Sequence, residues 1–232
     1  MNPEKRTTYL LELPETAYRE AYEVQLAAVA ARIAGRLPRD LVIMLEHPPV
    51  FTLGRRGGRE NLLVPEGVLK ARGIQIVPIE RGGDITYHGP GQLVVYVLVN
   101  LNAAHLKVVE LVGGLEEAMV RTAAHWGIKA HGDAQMRGAW IAQRKLGSVG
   151  ITIRRGVSFH GLALNVNTDL APFGWINPCG LAGCRMTSLA LETGDAVPMA
   201  RAREQMARHL EDIFQVHLAP IDMALLKGHL EP

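Results

Sequence analysis

Apolar residues recur along the chain with two different spacings. Tyr18, Tyr22, Leu26, Val29 and Ile33 return every three or four positions, which predicts a helix over 16–33 that Gly35 and Pro38 bring to an end. Val108, Val112, Leu115, Met119 and Trp126 mark a second helix over about 104–126, closed by Gly127. Ala202, Met206, Leu210 and Ile213 mark a third over about 198–214. Runs at 41–45, 74–79, 93–99, 139–143, 145–153 and 157–166 predict strands. The last three follow one another too closely for helical crossovers, so they predict an antiparallel meander. The fold class expected is α+β (mixed α/β), a mixed and partly antiparallel sheet flanked by helices. Neither a Ser/Gly linker nor a repeat at fixed period divides the chain, so residues 1–232 are read as a single domain.

Composition narrows the class. Of 232 residues 48% are hydrophobic, and 25 Lys and Arg stand against 23 Asp and Glu, a formal net charge of +2. So near-neutral a balance argues against a dedicated nucleic-acid binder, while leaving room for local basic patches. The two cysteines, Cys179 and Cys184, make no disulfide framework. No apolar run approaches the ~20 residues of a membrane span, and the N-terminal segment lacks the apolar core of a signal peptide. The expectation is a cytoplasmic globular protein. Glycine is concentrated at 54–58, 82–91, 147–161 and 174–183, as backbone is when it turns sharply or approaches a ligand closely.

Nucleotide-binding glycine motifs are missing, and Cys179 and Cys184 are not spaced as a zinc pair. Three glycine-flanked strings remain: RGGDITYHGPGQ at 81–92, RKLGSVGI at 144–151 and NPCGLAGCRMTSL at 177–189. Cys179 lies between Pro178, which fixes one torsion, and Gly180, whose amide is a candidate oxyanion donor. A lone cysteine is more often a small buried hydrophobe. Cys184 has no proline ahead of it and is the weaker nucleophile candidate. Lys145, in a strand-like stretch, reads either as a solvated strand residue or as an ammonium that favours a neighbouring thiolate and exchanges protons. His88 and His160, each beside glycine, read as strand-end histidines with hydrogen-bonded rings, as pocket lining, or as a base for Cys179. Arg81 reads as a surface charge or a pocket closure, and Asp84 as a turn residue. Arg55, Arg56, Arg59, Arg144, Arg154 and Arg155 form a solvated face or greet an acidic partner.

The combination says more than its parts. EHPPVFTLGRR at 46–56, RGGDITYHGPGQLVVY at 81–96, KLGSVGI at 145–151, FHGLALNVN at 159–167 and INPCGL at 176–181 occur in this order. Together they resemble the octanoyltransferases of lipoate biosynthesis, over a core of about residues 10–215. The resemblance implies a fold related to biotin and lipoate protein ligases. It places an acyl-thioester cysteine on Cys179 and its lysine partner on Lys145. It places substrate-binding segments on Arg81, Gly82, Gly83, Asp84, Ile85, Thr86, Tyr87 and His88, on Ser148, Val149 and Gly150, and on Gly161, Leu162 and Ala163. Cys184 matches no requirement of the family.

The implied donor is octanoyl-acyl carrier protein. The implied acceptors are lipoyl domains of 2-oxoacid dehydrogenase complexes and the glycine cleavage H protein. Neither cofactor nor metal is expected. Backbone amides of 147–150 or of Gly180 are candidate oxyanion donors, and Gly82, Gly83, Ala163 and Leu164 are candidate walls of an acyl slot. An ATP-dependent lipoate or biotin ligase would share the fold, and it would need a phosphate-contacting loop, for which GRRGG at 54–58 is an imperfect match. A non-catalytic binding module could lose Cys179 or Lys145, and both are present.

Overall fold

Residues 41–45 are apolar at every position, and 93–99 nearly so, because the strands they form are covered on both faces. The computed structural model describes residues 5–180 and 183–231, and of Cys179 the backbone alone. The elements run β1 (Arg6–Glu15), α1 (Tyr18–Ile33), β2 (Leu41–Glu46), β3 (Val50–Leu53), α2 (Glu66–Ala71), β4 (Gln75–Pro78), β5 (Ile85–His88), β6 (Gln92–Leu98) and α3 (Val108–Ala124). There follow β7 (His131–Gly132), β8 (Gly138–Ile141), β9 (Arg144–Arg154), β10 (Val157–Asn165), β11 (Arg185–Met186), α4 (Leu189–Thr193), α5 (Met199–Phe214), β12 (Val216–Pro220) and α6 (Met223–Leu230). Short 3-10 turns occupy Arg59–Asn61, Ala171–Trp175 and Pro178–Gly180.

The large sheet is ordered β12-β1-β2-β6-β10-β9-β8-β7, with β11 laid parallel to β9. β12, β1 and β2 are parallel, and every pairing from β2 onward to β7 is antiparallel. The meander expected over 139–166 is therefore β8, β9 and β10, and the sheet is mixed as the pattern implied. A second sheet, β4-β3-β5, stands beside it.

Alternation along the central strands sorts the core into two layers. Leu41, Ile43, Leu45, Val94, Tyr96 and Leu98 pack against Ala21, Ala28 and Val29 of α1 and Leu226 of α6. Val42, Met44, Leu93, Val95 and Val97 pack against Leu111, Leu115 and Met119 of α3 and Met206 and Leu210 of α5. Neither α1 nor α5 has a side-chain N-cap. A cap contributes about 1 kcal/mol, whereas each buried aliphatic side chain contributes roughly 1.5–3 kcal/mol, so packing rather than capping holds these helices.

The helices expected at 16–33, 104–126 and 198–214 are present with trimmed ends. α3 begins at Val108 because the Lys107 amide donates to the Glu110 carboxylate at 2.8 Å, while residues 100–106 close hydrogen-bonded turns. The ten-residue β1 was not expected, nor were the shorter β3, β5, β7, β11, β12, α2, α4 and α6. β1 pairs with β12 from the far end of the chain, and its burial does not alternate. α4 and α6 carry the caps Ser188 and Asp222, which accept from Leu191 N and Leu225 N, but each helix is too short for a periodic stripe.

Gly161 of β10 lies opposite Tyr96 of β6 and Gly150 of β9, and a Cβ there would run into the carbonyl oxygen of Val95. Gly113, inside α3, has nothing within 4 Å of an added Cβ. Gly161→Ala is therefore expected to lose at least about 2 kcal/mol of stability through overpacking. Gly113→Ala should gain up to about 1 kcal/mol through helix propensity. Urea unfolding of the two variants checks the contrast, and equal effects would contradict the strand-packing role of Gly161.

Candidate active site

A narrow slot of about 60 Å³ lies between α1, β5, β9 and β10. It is lined by Arg81, Gly82, Gly83, Thr86, His88, Ser148, Val149, Gly150, Gly161, Leu162 and Ala163, so the three segments marked in the sequence do meet in space. Gly82, Gly83, Val149 and Gly150 also line an open cleft of about 740 Å³, which makes them the mouth between the two spaces. The cleft holds Lys145, Asp84 and Gly180. Ile85 and Tyr87 are turned elsewhere. On β5 they alternate with Thr86 and His88, and their side chains join Phe51, Leu53, Phe173 and Ile176 in the core of the small sheet. Leu164, expected as a slot wall, is buried in the layer under α3.

The segment 81–84 is held against its neighbours by backbone. Gly82 N donates to Ile151 O of β9 at 3.0 Å, and Arg55 N and Arg56 N donate to Arg81 O and Gly83 O. A Cβ on Gly54 would meet Gly83 O, and one on Gly150 would crowd Gly82 O and the Arg81 side chain. The Arg81 guanidinium is buried and donates to Thr52 O at 2.8 Å, to Thr52 Oγ1 and to Gly82 O. It is a joint between the sheets, not a surface charge. The amides of residues 54–57 are spent on Asp84, Arg81, Gly83 and Gly54. A phosphate-cradling loop needs such amides open.

Cys179 sits in the 3-10 turn Pro178–Gly180; its side chain lies outside the described residues. The turn is anchored from outside. Asn177 N donates to Asn61 O, Asn61 Nδ2 donates to Asp84 Oδ2 at 2.7 Å, and Ile85 N donates to Asp84 Oδ1. Asp84 thus ties the turn to the slot segment, and Asn61 is a contributor that nothing in its local sequence signalled. Gly180, at φ 72°, donates its amide to Asn177 O, so that amide is engaged within the turn. The stretch 147–150 is strand interior rather than a turn.

Lys145 is buried, contrary to the solvated reading, with only 2% of its surface exposed. Its Nζ stands 5.0 Å from the centre of the Trp140 ring, whose Nε1 donates to Met136 O. Cys184 lines a different hollow with His131 and Trp140. Among the basic residues, Arg59 pairs with Glu66, Arg144 with Glu192 and Arg154 with Glu80, whereas Arg55 and Arg56 are exposed and Arg56 reaches the cleft.

The inner part of the slot carries rings: Tyr18, His88, Tyr96 and His160. His47, behind them, bonds Thr16 O at 2.7 Å and Tyr96 Oη at 2.6 Å. His88 Nδ1 bonds Gln92 Oε1 at 2.7 Å. Burial lowers the pKa of His47 and of His160 to about 4, and burial with the neighbouring His47 lowers that of His88 to about 3. These histidines are neutral near pH 7, and among the described residues no group of His, Cys, Asp or Glu side chains is placed to hold a metal ion.

The model of the lipoyl protein ligase A/B catalytic domain matches residues 17–211. The chain belongs to that family. Within it, the octanoyltransferase of Desulfotalea psychrophila is 47% identical over 89% of this chain and 94% of that one. The octanoyltransferase of Syntrophotalea carbinolica is 42% identical over 90% and 95%. At such similarity over nearly whole chains, this family member is an acyltransferase. The fold is shared with a putative lipoate protein ligase of Thermoplasma acidophilum bearing lipoic acid, at a TM-score of 0.73, 16% identity and coverage of 97% and 92%. No helix among the described residues is long and apolar enough to cross a membrane.

The buried histidines of this family member give a pH prediction. A histidine whose folded pKa lies below its unfolded value binds its proton preferentially in the unfolded chain. Stability should therefore fall as pH drops through about 6.5 toward 4.5, by on the order of 2 kcal/mol for one independent histidine. His160→Asn should flatten that slope in urea titrations. A wild-type stability that is constant between pH 6.5 and 4.5 would contradict neutral burial.

Proposed function

We propose that this chain moves an octanoyl group from octanoyl-acyl carrier protein to the lysine of lipoyl domains, through a thioester on Cys179. The acceptors proposed are the lipoyl domains of 2-oxoacid dehydrogenase complexes and the glycine cleavage H protein, served in the cytoplasm by the whole of 1–232 acting as one catalytic unit. The observation that carries this reading is the buried Lys145, which shares a cleft with the turn of Cys179 while a slot opens from the same cleft between Gly82–Gly83 and Val149–Gly150. The names of the relatives support the octanoyl group as cargo.

The proposed reaction has two halves. The Cys179 thiolate attacks the donor carbonyl, the bond from carbon to the pantetheine sulfur breaks, and the Lys145 ammonium gives its proton to the departing thiolate. One thioester replaces another, so the step is nearly balanced. The neutral Lys145 amine then takes a proton from the attacking lysine of the acceptor. The amide bond forms as the Cys179 thiolate leaves. Substrate contacts are assigned to the slot residues from Arg81 to Ala163 described above, with Ile85 and Tyr87 contributing through backbone and packing. A ligase reading is weaker, because the 54–57 amides are already engaged; exchange of pyrophosphate into ATP is expected to be absent.

Incubation with octanoyl carrier protein should add one octanoyl mass to the intact wild type and to Cys184→Ser but not to Cys179→Ser. Iodoacetamide alkylation of Cys179 should show a midpoint below the ~8.5 of a free cysteine, and Lys145→Ala should raise it. Acylation that survives Cys179→Ser and disappears in Cys184→Ser would refute the assignment.

Arg55 and Arg56, both exposed and the second of them lining the cleft, are proposed to meet the acidic donor protein. Screening over ~8 Å confines such an effect chiefly to encounter. Reversing both to Glu should raise the KM for octanoyl carrier protein several-fold at low salt and leave that for octanoyl-pantetheine unchanged. Equal losses on both donors would assign the loop to the pocket instead.

A further inference from the structure

The inner part of the slot sets rings with polar atoms beside the apolar Val94, where a purely aliphatic cargo would be matched by apolar walls alone. Beyond the glycine mouth, Tyr18, His88, Tyr96 and His160 line it, all of them buried. Gln92 satisfies His88, and His47 satisfies Tyr96. His160 differs. Its side chain is 2% exposed, yet neither ring nitrogen has a hydrogen-bond partner among the described residues, and the Glu80 carboxylate stays 4.0 Å from Nε2. A buried donor and acceptor left unmet are costly, and native proteins rarely leave them so.

The backbone at His160 is also unusual, with φ at 59° inside a strand. That torsion breaks the alternation of β10. The His160 ring turns to the side of Phe159, stacking on it at 4.8 Å and on Tyr22 of α1 at 5.9 Å. Two departures from ordinary geometry therefore fall on one residue, and together they present an unpartnered imidazole to the slot. A neutral imidazole offers one donor and one acceptor, the pair that a hydroxyl or a water molecule uses.

Resting on the reading of the slot as the acyl site, we propose that its inner end is a hydrogen-bonding subsite in which His160 determines which chain ends are accepted. On this reading an octanoyl chain stops short of the imidazole, and a polar group of hydroxyl size is held on it. That group is a bound water, or the terminal hydroxyl of an ω-hydroxyacyl chain. A longer aliphatic chain displaces it and sets a methyl against an imidazole with no partner.

Transfer of octanoyl, nonanoyl and 8-hydroxyoctanoyl groups from pantetheine thioesters by the full-length protein tests this. The last two are equal in length and differ only in a terminal methyl against a hydroxyl. The wild type should use 8-hydroxyoctanoyl within about threefold of nonanoyl in kcat/KM, whereas an apolar slot end would reject the hydroxyl by about 100-fold. His160→Leu should move the ratio toward nonanoyl by at least about tenfold. A water-filled subsite adds a preference of the wild type for octanoyl over nonanoyl that His160→Leu abolishes; without that preference the occupant is the hydroxyl alone. Rejection of 8-hydroxyoctanoyl by the wild type, or an unchanged ratio in His160→Leu, overturns the inference. Should His160→Leu fail to fold, the wild-type ratio decides. A wild type that transfers no octanoyl overturns the functional reading and this inference with it, a result distinct from octanoyl transfer with the wrong end preference.

Discussion

Everything at the candidate site depends on how closely one backbone segment approaches two others. Residues 81–84 are pressed between the end of the large sheet, through Gly82 N to Ile151 O, and the turn after β3, through Arg55 N and Arg56 N. Side chains would hold these backbones apart at two of the contacts, since a Cβ on Gly54 would run into Gly83 O and one on Gly150 would crowd Gly82 O. The Arg81 guanidinium, donating to Thr52 and to Gly82 O, fastens the small sheet to the same joint. The gap left beside it is the mouth of the slot. Asp84 then carries the constraint outward through Asn61 to the turn of Cys179.

Charge within this frame is spent sparingly. Lys145 is buried, with its Nζ over the Trp140 ring. An anion arising at the neighbouring turn, as the proposed thiolate would, meets that lysine where charges are weakly screened. The three histidines near the slot go the other way. Burial holds them neutral, so their rings act as hydrogen-bonding groups and not as charges. The proposed proton transfers are placed on Lys145, which shares the cleft with the turn of Cys179.

Much of this was legible in the chain. The apolar runs at 41–45 and 93–99, the close succession of strands from 139 to 166 and the three helical stripes were all present in the local pattern. The glycine strings marked the segments that meet around the slot, because close approach of backbones leaves a compositional trace. Other features leave none. β1 pairs with β12 across nearly the whole chain, and no local pattern reports a partner so distant. Tyr18, Tyr96 and Asn61 reach the site from elements that read as ordinary core and loop. Lys145 looked like a solvated strand residue because it is flanked by β8 on one side of β9 and by the distant β11, beyond the end of β10, on the other. Ile85 and Tyr87 sit within a marked segment yet face the other way, which the two-residue period of β5 explains once the strand itself is known.

On the proposed function, an acyl chain carried on Cys179 enters the slot between the two glycine pairs and ends at the rings. A crystal structure of the protein trapped as its octanoyl thioester tests that claim most directly. Density should run from the Cys179 sulfur past Gly82–Gly83 and Val149–Gly150, with the terminal methyl near His160. A chain lying in the open cleft, or one lodged in the apolar cavity of about 130 Å³ lined by Leu111, Leu210 and Phe214, would contradict it.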